Sequence, residues 1–446
     1  MLTRRAFLQA TGAVGTIALA IDGDGLDVIS PASAGVSAAS AAVAGQSPED
    51  VAKNEDYWRE IQGAFALDRT LINLNNGHHC PQPTIVLDAV KRYMDLENQA
   101  PGYYGGMINR NLETVRRRLA AQVGCDPEEL AITRNASEAL QIAQNGIDLK
   151  AGDEVVTTEQ DYPRMLTTWD QRMRRDGIKV TRLGFPVPTT GDDLFECFER
   201  AITPRTKVLH FCHITNLTGQ LFPVRRLCRM ARQRGILTIV DGAHAVGHFP
   251  YTIGDLEPDF YGVSLYKWML APLGTGFLFM RREHIAKTWP LQAAAASRND
   301  DIRKFEEVGT MPAAPRAGIP EALAFHQAIG AERKAARLRY LTMRWATRLR
   351  ANPRIRILSS LEPGETWGLA MVGIEGIEAP KISAFLWDKY RIIVTAVVSG
   401  LPPAQRFDFQ GVRVTPNIYM APEEVDTFAD GMEDLAKNGS PAARRL

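Results

Sequence analysis

The stretch best equipped for chemistry is VSLYKWMLAPLGTG, residues 263–276, in which Lys267 is the one charged residue. Tyr266 and Trp268 flank it, and an apolar run punctuated by Gly and Pro follows. Lysine is among the residues least often buried, and an apolar setting lowers the pKa of an amine by disfavouring its charged form. Lys267 is therefore either a surface residue with its stem laid on apolar neighbours or an amine held as a nucleophile. A second group lies 26 residues earlier, where Ile239-Val240-Asp241-Gly242-Ala243-His244 ends an apolar segment on a carboxylate. Alone, Asp241 serves a metal, a helix cap or a ligand equally well. A carboxylate and a lysine at neighbouring strand ends suit pyridoxal 5′-phosphate (PLP). The amine bonds to the cofactor aldehyde, and the Asp holds the pyridinium proton so that the ring draws electrons. A plain ion pair at a cleft rim is the competing reading.

Two further features are required if PLP is right. The first is a phosphate site. Thr133-Arg134-Asn135-Ala136-Ser137-Glu138-Ala139-Leu140 passes from an apolar run directly into a helical pattern. Amides at a helix N-terminus, with the Ser137 hydroxyl, suit a dianion; Ser137 as a simple N-cap is the alternative. The second is a group to cover the ring. Thr158-Glu159-Gln160-Asp161-Tyr162-Pro163 offers Tyr162, as a stacking ring or as ordinary packing.

These residues need a scaffold that brings segment ends together. Short apolar runs at 130–133, 153–158, 179–185, 207–213, 237–241, 260–265 and 275–280 alternate with helical patterns such as 138–146, 165–175 and 224–235. The alternation predicts an α/β fold with a mainly parallel, doubly wound, seven-stranded sheet, whose ligand lies beyond the carboxyl ends of the strands. After about residue 318 the pattern changes to a smaller α+β domain. It holds a long helix over 321–351, strands at 355–358, 368–374, 392–398 and 412–418, and helices at 380–390 and 422–436. The basic residues of the long helix (Arg333, Lys334, Arg337, Arg339, Arg344 and Arg348) read as a solvated face.

The series RNASEAL, HITNLTG, VDGAHA, SLYKW, GT and GVRV resembles the fold-type I PLP enzymes of aminotransferase class V. That group includes cysteine desulfurases, kynureninase and isopenicillin N epimerase-like proteins, and the likeness is closest to the last. It runs through residues 55–437 with motif order kept. The resemblance implies that Lys267 anchors PLP and later moves the substrate Cα proton, that Asp241 pairs with the pyridine nitrogen, and that His244 and Asn216 approach the phenolic oxygen. It also implies that Ala136, Ser137, Ser264 and Tyr266 surround the phosphate, Tyr266 standing where desulfurases have His. Thr310 of Gly309-Thr310 would reach the phosphate of a second subunit, which implies a homodimer with shared sites. Arg413 would grip the substrate carboxylate, for which a bidentate guanidinium is suited. Asn76, in Asn75-Asn76-Gly77-His78-His79-Cys80-Pro81, belongs to a loop on the substrate side. The His-His-Cys run raises a metal reading, set aside because neighbours on an extended chain point to opposite faces; Cys80 is the one cysteine expected near the cleft. Desulfurases need a mobile cysteine before the arginine, and residues 398–406, VSGLPPAQR, contain none.

Composition excludes other classes. With 52 basic and 51 acidic residues the chain has no charge field for nucleic acid, and five scattered cysteines make no disulfide framework or metal spacing. Thr3-Arg4-Arg5-Ala6-Phe7-Leu8-Gln9, followed by an apolar run over 10–21, resembles a twin-arginine (Tat) export signal. That run is too short for a bilayer, which takes ~20 residues; a tail with an accidental Arg pair is the bland alternative. Cleavage fits Ala32-Ser33-Ala34 or Ala18-Leu19-Ala20. The expected organisation is a signal at 1–34, a linker at 35–54, a segment at 55–84 that joins the small domain and the active site, a PLP-binding domain at 85–317, a small domain at 318–437 and a tail at 438–446. The whole predicts a periplasmic PLP enzyme, passed through the Tat translocase and without a membrane span. It would act on the α-amino group of an amino acid or amino-acid-containing metabolite by aminotransferase or epimerase chemistry. Tailoring of a siderophore or other peptide metabolite is the alternative, and desulfuration is disfavoured. A non-catalytic regulator would need a DNA-binding domain, and the sequence offers none.

Overall fold

The computed structural model describes residues 18–22, 25–29, 31–398 and 407–439. Its large sheet has seven strands in the order Leu130–Thr133, Gly276–Met280, Phe260–Ser264, Leu237–Asp241, Thr206–Cys212, Glu154–Thr158 and Lys179–Leu183. Five neighbouring strands are parallel, and Gly276–Met280 runs antiparallel to both of its partners. Most of these strands are buried along their whole length, so they appear in sequence as unbroken apolar runs rather than alternating ones. One edge of the sheet thereby collects Thr133, Thr158, Cys212, Asp241 and Ser264, each the last residue of its strand.

The helix Ala136–Gly146 lies directly over Phe260–Ser264. A Cβ on Gly262 would stand 2.6 Å from Leu140 Cγ, and one on Gly276 would stand 2.8 Å from Asn135 Cα. Only glycine permits this approach, and the approach aims the helix N-terminus at the strand ends. The N-cap is Asn135, whose side chain accepts the Glu138 amide at 2.9 Å. Ser137 is therefore not needed as a cap.

The second sheet is antiparallel, ordered Ile355–Ile357, Ala370–Ile374, Gly411–Val414 and Thr395–Val397. The expected strand over 392–398 divides at Val394. Its first part, Ile392–Ile393, pairs in parallel with Ile72–Asn73, so the N-terminal segment adds to this half of the molecule. The single helix expected over 321–351 is two, Ile319–Ile329 and Ala331–Arg350, because Gly330 takes φ 93° between them.

The basic face of the second helix is solvated only in part. Lys334 and Arg337 are buried, and Arg337 donates to the carbonyls of Ala52 and Met420 and to Glu55. Arg344 pairs with Asp426, and Arg348 with Asp430 and Glu433, all on the closing helix Pro422–Asn438. The stripe is buried at Lys334 and Arg337, and its exposed end pairs with an acidic helix. The linker expected over 35–54 also folds: Pro31–Ala42 and Pro48–Val51 are helices, and Val36, Val43 and Val51 join the main core. Ahead of them Ala18–Asp22 and Gly25–Ile29 form an antiparallel pair, while residues 1–17, including the Arg pair, lie outside the described residues. So does most of the 398–406 loop. Among the described residues no helix is long and apolar enough to cross a membrane.

Candidate active site

Asp241 sits opposite Cys212 on one neighbouring strand and Gly262 on the other. Lys267 follows the next strand in a tight turn closed by Leu270 N–H to the Lys267 carbonyl at 3.2 Å. Leu270 takes φ 61°, a left-handed conformation that costs a non-glycine residue of order 1 kcal/mol. The strain lies three residues after the lysine, in the turn that the lysine's own carbonyl closes.

Lys267 is half-buried, and its Nζ meets His244 Nε2 at 2.9 Å rather than the Asp241 carboxylate. Burial pushes the amine down to about 8, against the opposing pull of Asp241. Burial likewise pushes Asp241 up to about 6, although its Oδ1 accepts the Ala243 amide at 2.9 Å and Lys267 favours its charge. His244 is buried and held neutral, its pKa driven well down. The two groups make no direct ion pair, because the amine rests on His244, and burial brings both the amine and the carboxyl closer to neutrality than their ordinary values.

At the other end of the cavity Ser264 Oγ accepts the Ala136 amide at 3.0 Å and donates to Tyr266 Oη at 3.3 Å. Ser264 fastens the helix N-terminus to the strand end and leaves the Tyr266 O–H free to donate to an anion. Ala136, Ser137, Tyr162, Asn216, Asp241, His244, Ser264, Tyr266, Lys267 and Arg413 all line one cavity of about 200 Å³. Thr310 does not; it is exposed on the surface beside Gly309.

Arg413 is 6% exposed, and burial drives it down to about 10. It donates to the Asn216 carbonyl, Asn75 Oδ1 and Thr395 Oγ1 at 2.9, 2.8 and 3.2 Å. Its Nε is buried without a partner. Among the described residues no carboxylate pairs with it, so these residues leave the cation open to an anion from outside them.

Three sequence expectations are corrected here. Asn76 is fully buried and outside the cavity, with Nδ2 donating to the Asn73 and Thr415 carbonyls at 2.7 and 2.8 Å and Oδ1 accepting from Tyr419 Oη at 2.6 Å. It holds the loop, and its neighbour Asn75 is the one that reaches Arg413. His78 and His79 do not diverge, because the loop is not extended; their Nδ1 atoms meet at 2.6 Å, and both rings line the cavity mouth. Cys80 turns away, its thiol bonded to the Asn76 carbonyl and raised to about 12 by burial, so the three side chains do not converge. The cysteine in the cavity wall is instead Cys212, whose thiol donates to Asp161 at 3.1 Å and stays protonated. Strand register alone places it beside Asp241, a signal the sequence contained.

The profile of the aminotransferase class-V family matches residues 81–428. Isopenicillin N epimerase of Streptomyces clavuligerus is 29% identical over 397 residues, covering 85% of this chain and 98% of the relative. Its Amycolatopsis lactamdurans counterpart is 30% identical over 400 residues, 85% of this chain and 99% of the relative. A protein described as a probable cysteine desulfurase from Vibrio cholerae is 26% identical, covering 80% of this chain and 91% of its own. Among solved structures, an apo cysteine desulfurase of Thermococcus onnurineus superposes with TM-score 0.73 at 22% identity, covering 85% and 98% of the two chains. The cystine C–S lyase C-DES bound to cysteine persulfide gives 0.72 at 22% identity, covering 82% and 97%.

Fold and family together define a PLP-dependent enzyme of fold type I. The chain belongs to the aminotransferase class-V family. Its residues fit the cofactor: the cavity offers an amine whose pKa burial lowers, a carboxylate at a strand end, a helix N-terminus, and Asn216 with its side-chain oxygen buried and unpartnered.

Proposed function

We propose that the protein acts on the α-amino group of an α-amino acid, or of a metabolite that contains one, by proton movement at Cα of the epimerase or aminotransferase type. The observation that carries this reading is the buried Arg413, without a counter-ion among the described residues, in the same cavity as Lys267. An amine that can bond covalently and an unpaired guanidinium at a fixed separation suit a molecule with an amino group and a carboxylate on one carbon.

PLP, when bound, supplies an electron sink for the bonds of Cα. The residues of this chain do the rest. Lys267 anchors the cofactor and, once displaced, holds or delivers a proton at its Nζ. Asp241 would keep the proton on the pyridine nitrogen, with His244 and Asn216 on the side of the phenolic oxygen. The amides at the start of Ala136–Gly146, with Ser137, Ser264 and the Tyr266 phenol, would hold the phosphate, and Tyr162 would cover the ring. Arg413 fixes the carboxylate and with it the orientation of Cα.

Epimerase relatives that align over nearly their whole length favour the epimerase type. Sulfur transfer is disfavoured: residues 398–406 contain no cysteine, and Cys212 is pinned to Asp161 and cannot swing as a carrier. Incubation of the loaded enzyme with L- and D-amino acids in deuterated water tests the reading. Exchange at Cα with inversion and no keto acid marks an epimerase, and keto acid an aminotransferase. Neither product from any amino acid would overturn both.

Exposure of Thr310 outside its own cavity supports a homodimer in which it completes the partner site; sedimentation as a monomer would contradict this. The Arg4-Arg5 pair supports Tat export to the periplasm. Changing both to Lys should retain the protein in the cytoplasm, and unaltered export would remove that assignment.

A further inference from the structure

Trp268 follows Lys267 directly and is fully buried. Its indole Nε1 faces His244 Nδ1 at 3.4 Å, a long contact but a directional one. The indole stacks on His248, with ring centroids 3.8 Å apart and planes 12° apart, and its carbonyl accepts the buried amine of Lys334. His248 is itself fixed. Its Nε2 accepts the Gly368 amide at 2.7 Å, so the proton lies on Nδ1, which donates to the His244 carbonyl at 2.8 Å.

An indole N–H can only donate, so the ring atom of His244 that faces it presents a lone pair. Burial keeps His244 neutral, and a neutral imidazole with Nδ1 as acceptor carries its proton on Nε2. That N–H points at Lys267 Nζ, 2.9 Å away. A hydrogen bond forms between these two atoms only if the amine supplies the lone pair.

We propose that Trp268 is a positioning residue: it fixes His244 as the Nε2–H tautomer, which donates to the lone pair of the Lys267 amine and so favours the uncharged form that attacks the cofactor aldehyde. The clamp on Trp268 comes from the other half of the fold. Lys334 belongs to Ala331–Arg350, and Gly368 precedes the strand Ala370–Ile374. A Cβ on Gly368 would stand 3.0 Å from both His248 Nε2 and Trp268 Cζ3. Docking of the small sheet therefore sets the tautomer beside the nucleophile. The use of this device rests on Lys267 as the cofactor anchor, but its test does not.

The test is nitrogen-15 NMR of the cofactor-free protein with labelled histidine, His244 being assigned by its loss in His244→Gln. The expected result is an Nε2-protonated neutral ring. Trp268→Phe keeps a stacking ring and removes the N–H. There His244 should show Nδ1 protonation, and the Lys267 pKa, read from its rate of modification by an amine reagent, should rise by about one unit. Asp241, Arg413, Cys80 and Cys212 also act on Lys267 and are unchanged by that variant. An Nδ1–H ring in the wild type overturns the proposal without any variant, as does an unchanged tautomer in folded Trp268→Phe. Nε2–H found together with no covalent PLP at Lys267 would uphold the tautomer and remove the cofactor assignment.

Discussion

Arg413 donates through Nη1 to the backbone carbonyl of Asn216 at 2.9 Å, which ties an arginine of the small sheet to a loop of the large one. The bond holds a cation from one half of the fold in the same cavity as a lysine from the other. It also leaves Nε buried and unpartnered, and burial of an uncompensated charge destabilises a fold.

Stability and activity should therefore move in opposite directions in Arg413→Met. The cofactor-free variant should be more stable than the wild type by about 1–2 kcal/mol in urea, while KM for an amino-acid substrate rises roughly 100-fold. A variant that loses stability and keeps KM would place Arg413 in the scaffold instead.

Asp241 gives a pH signature. Its folded pKa of about 6 lies above its ordinary 3.8, so the folded cofactor-free protein binds the proton more tightly than the unfolded chain. Stability then falls as pH rises between those two values and stays lowered above them. Asp241→Asn, which keeps the Ala243 contact, should gain about 2–3 kcal/mol at neutral pH, an advantage that shrinks as pH falls through about 6 and is gone below the ordinary 3.8. It should also lose most activity. A stability difference independent of pH would contradict the buried, protonatable carboxyl.

Asn76 makes the opposite prediction. Asn76→Ala strands the Asn73 and Thr415 carbonyls and the Tyr419 hydroxyl, at a cost of about 3 kcal/mol. KM of the protein that still folds should be unchanged. A raised KM with full stability would return Asn76 to the substrate side.

The two ends of the basic stripe should differ. Arg337→Ala removes a fully buried guanidinium bonded to two carbonyls and Glu55 and should cost about 3–5 kcal/mol. Arg344→Ala breaks an exposed pair with Asp426 and should cost less than about 1 kcal/mol. Equal effects would show that the stripe is not graded by burial.

Much of this site was legible because the large sheet is buried on both faces. Leu130–Thr133 and Leu237–Asp241 appear in sequence with the bounds they have in the fold, since an unbroken apolar run ends where the strand does. The small domain was less legible, for reasons of partners rather than propensity. Nothing in the residues of Ala331–Arg350 announces that Pro422–Asn438 will meet it with acids. A helical pattern carries through an isolated glycine, so the break at Gly330 was invisible. Asn75 and Asn76 are chemically identical, and only the turn decides which one reaches Arg413. His244 was legible as a candidate for the site, but its bond to Lys267 is a matter of three-dimensional approach between two strand ends, which sequence does not reveal.

The central claim is that Lys267 is the covalent anchor of PLP. It is tested most directly by reducing the purified enzyme with borohydride and locating the retained cofactor by peptide mass. The account predicts a visible band that collapses on reduction, a pyridoxyl group on Lys267, and loss of both in Lys267→Ala. A label on another lysine, or a band and label that survive in Lys267→Ala, would contradict it.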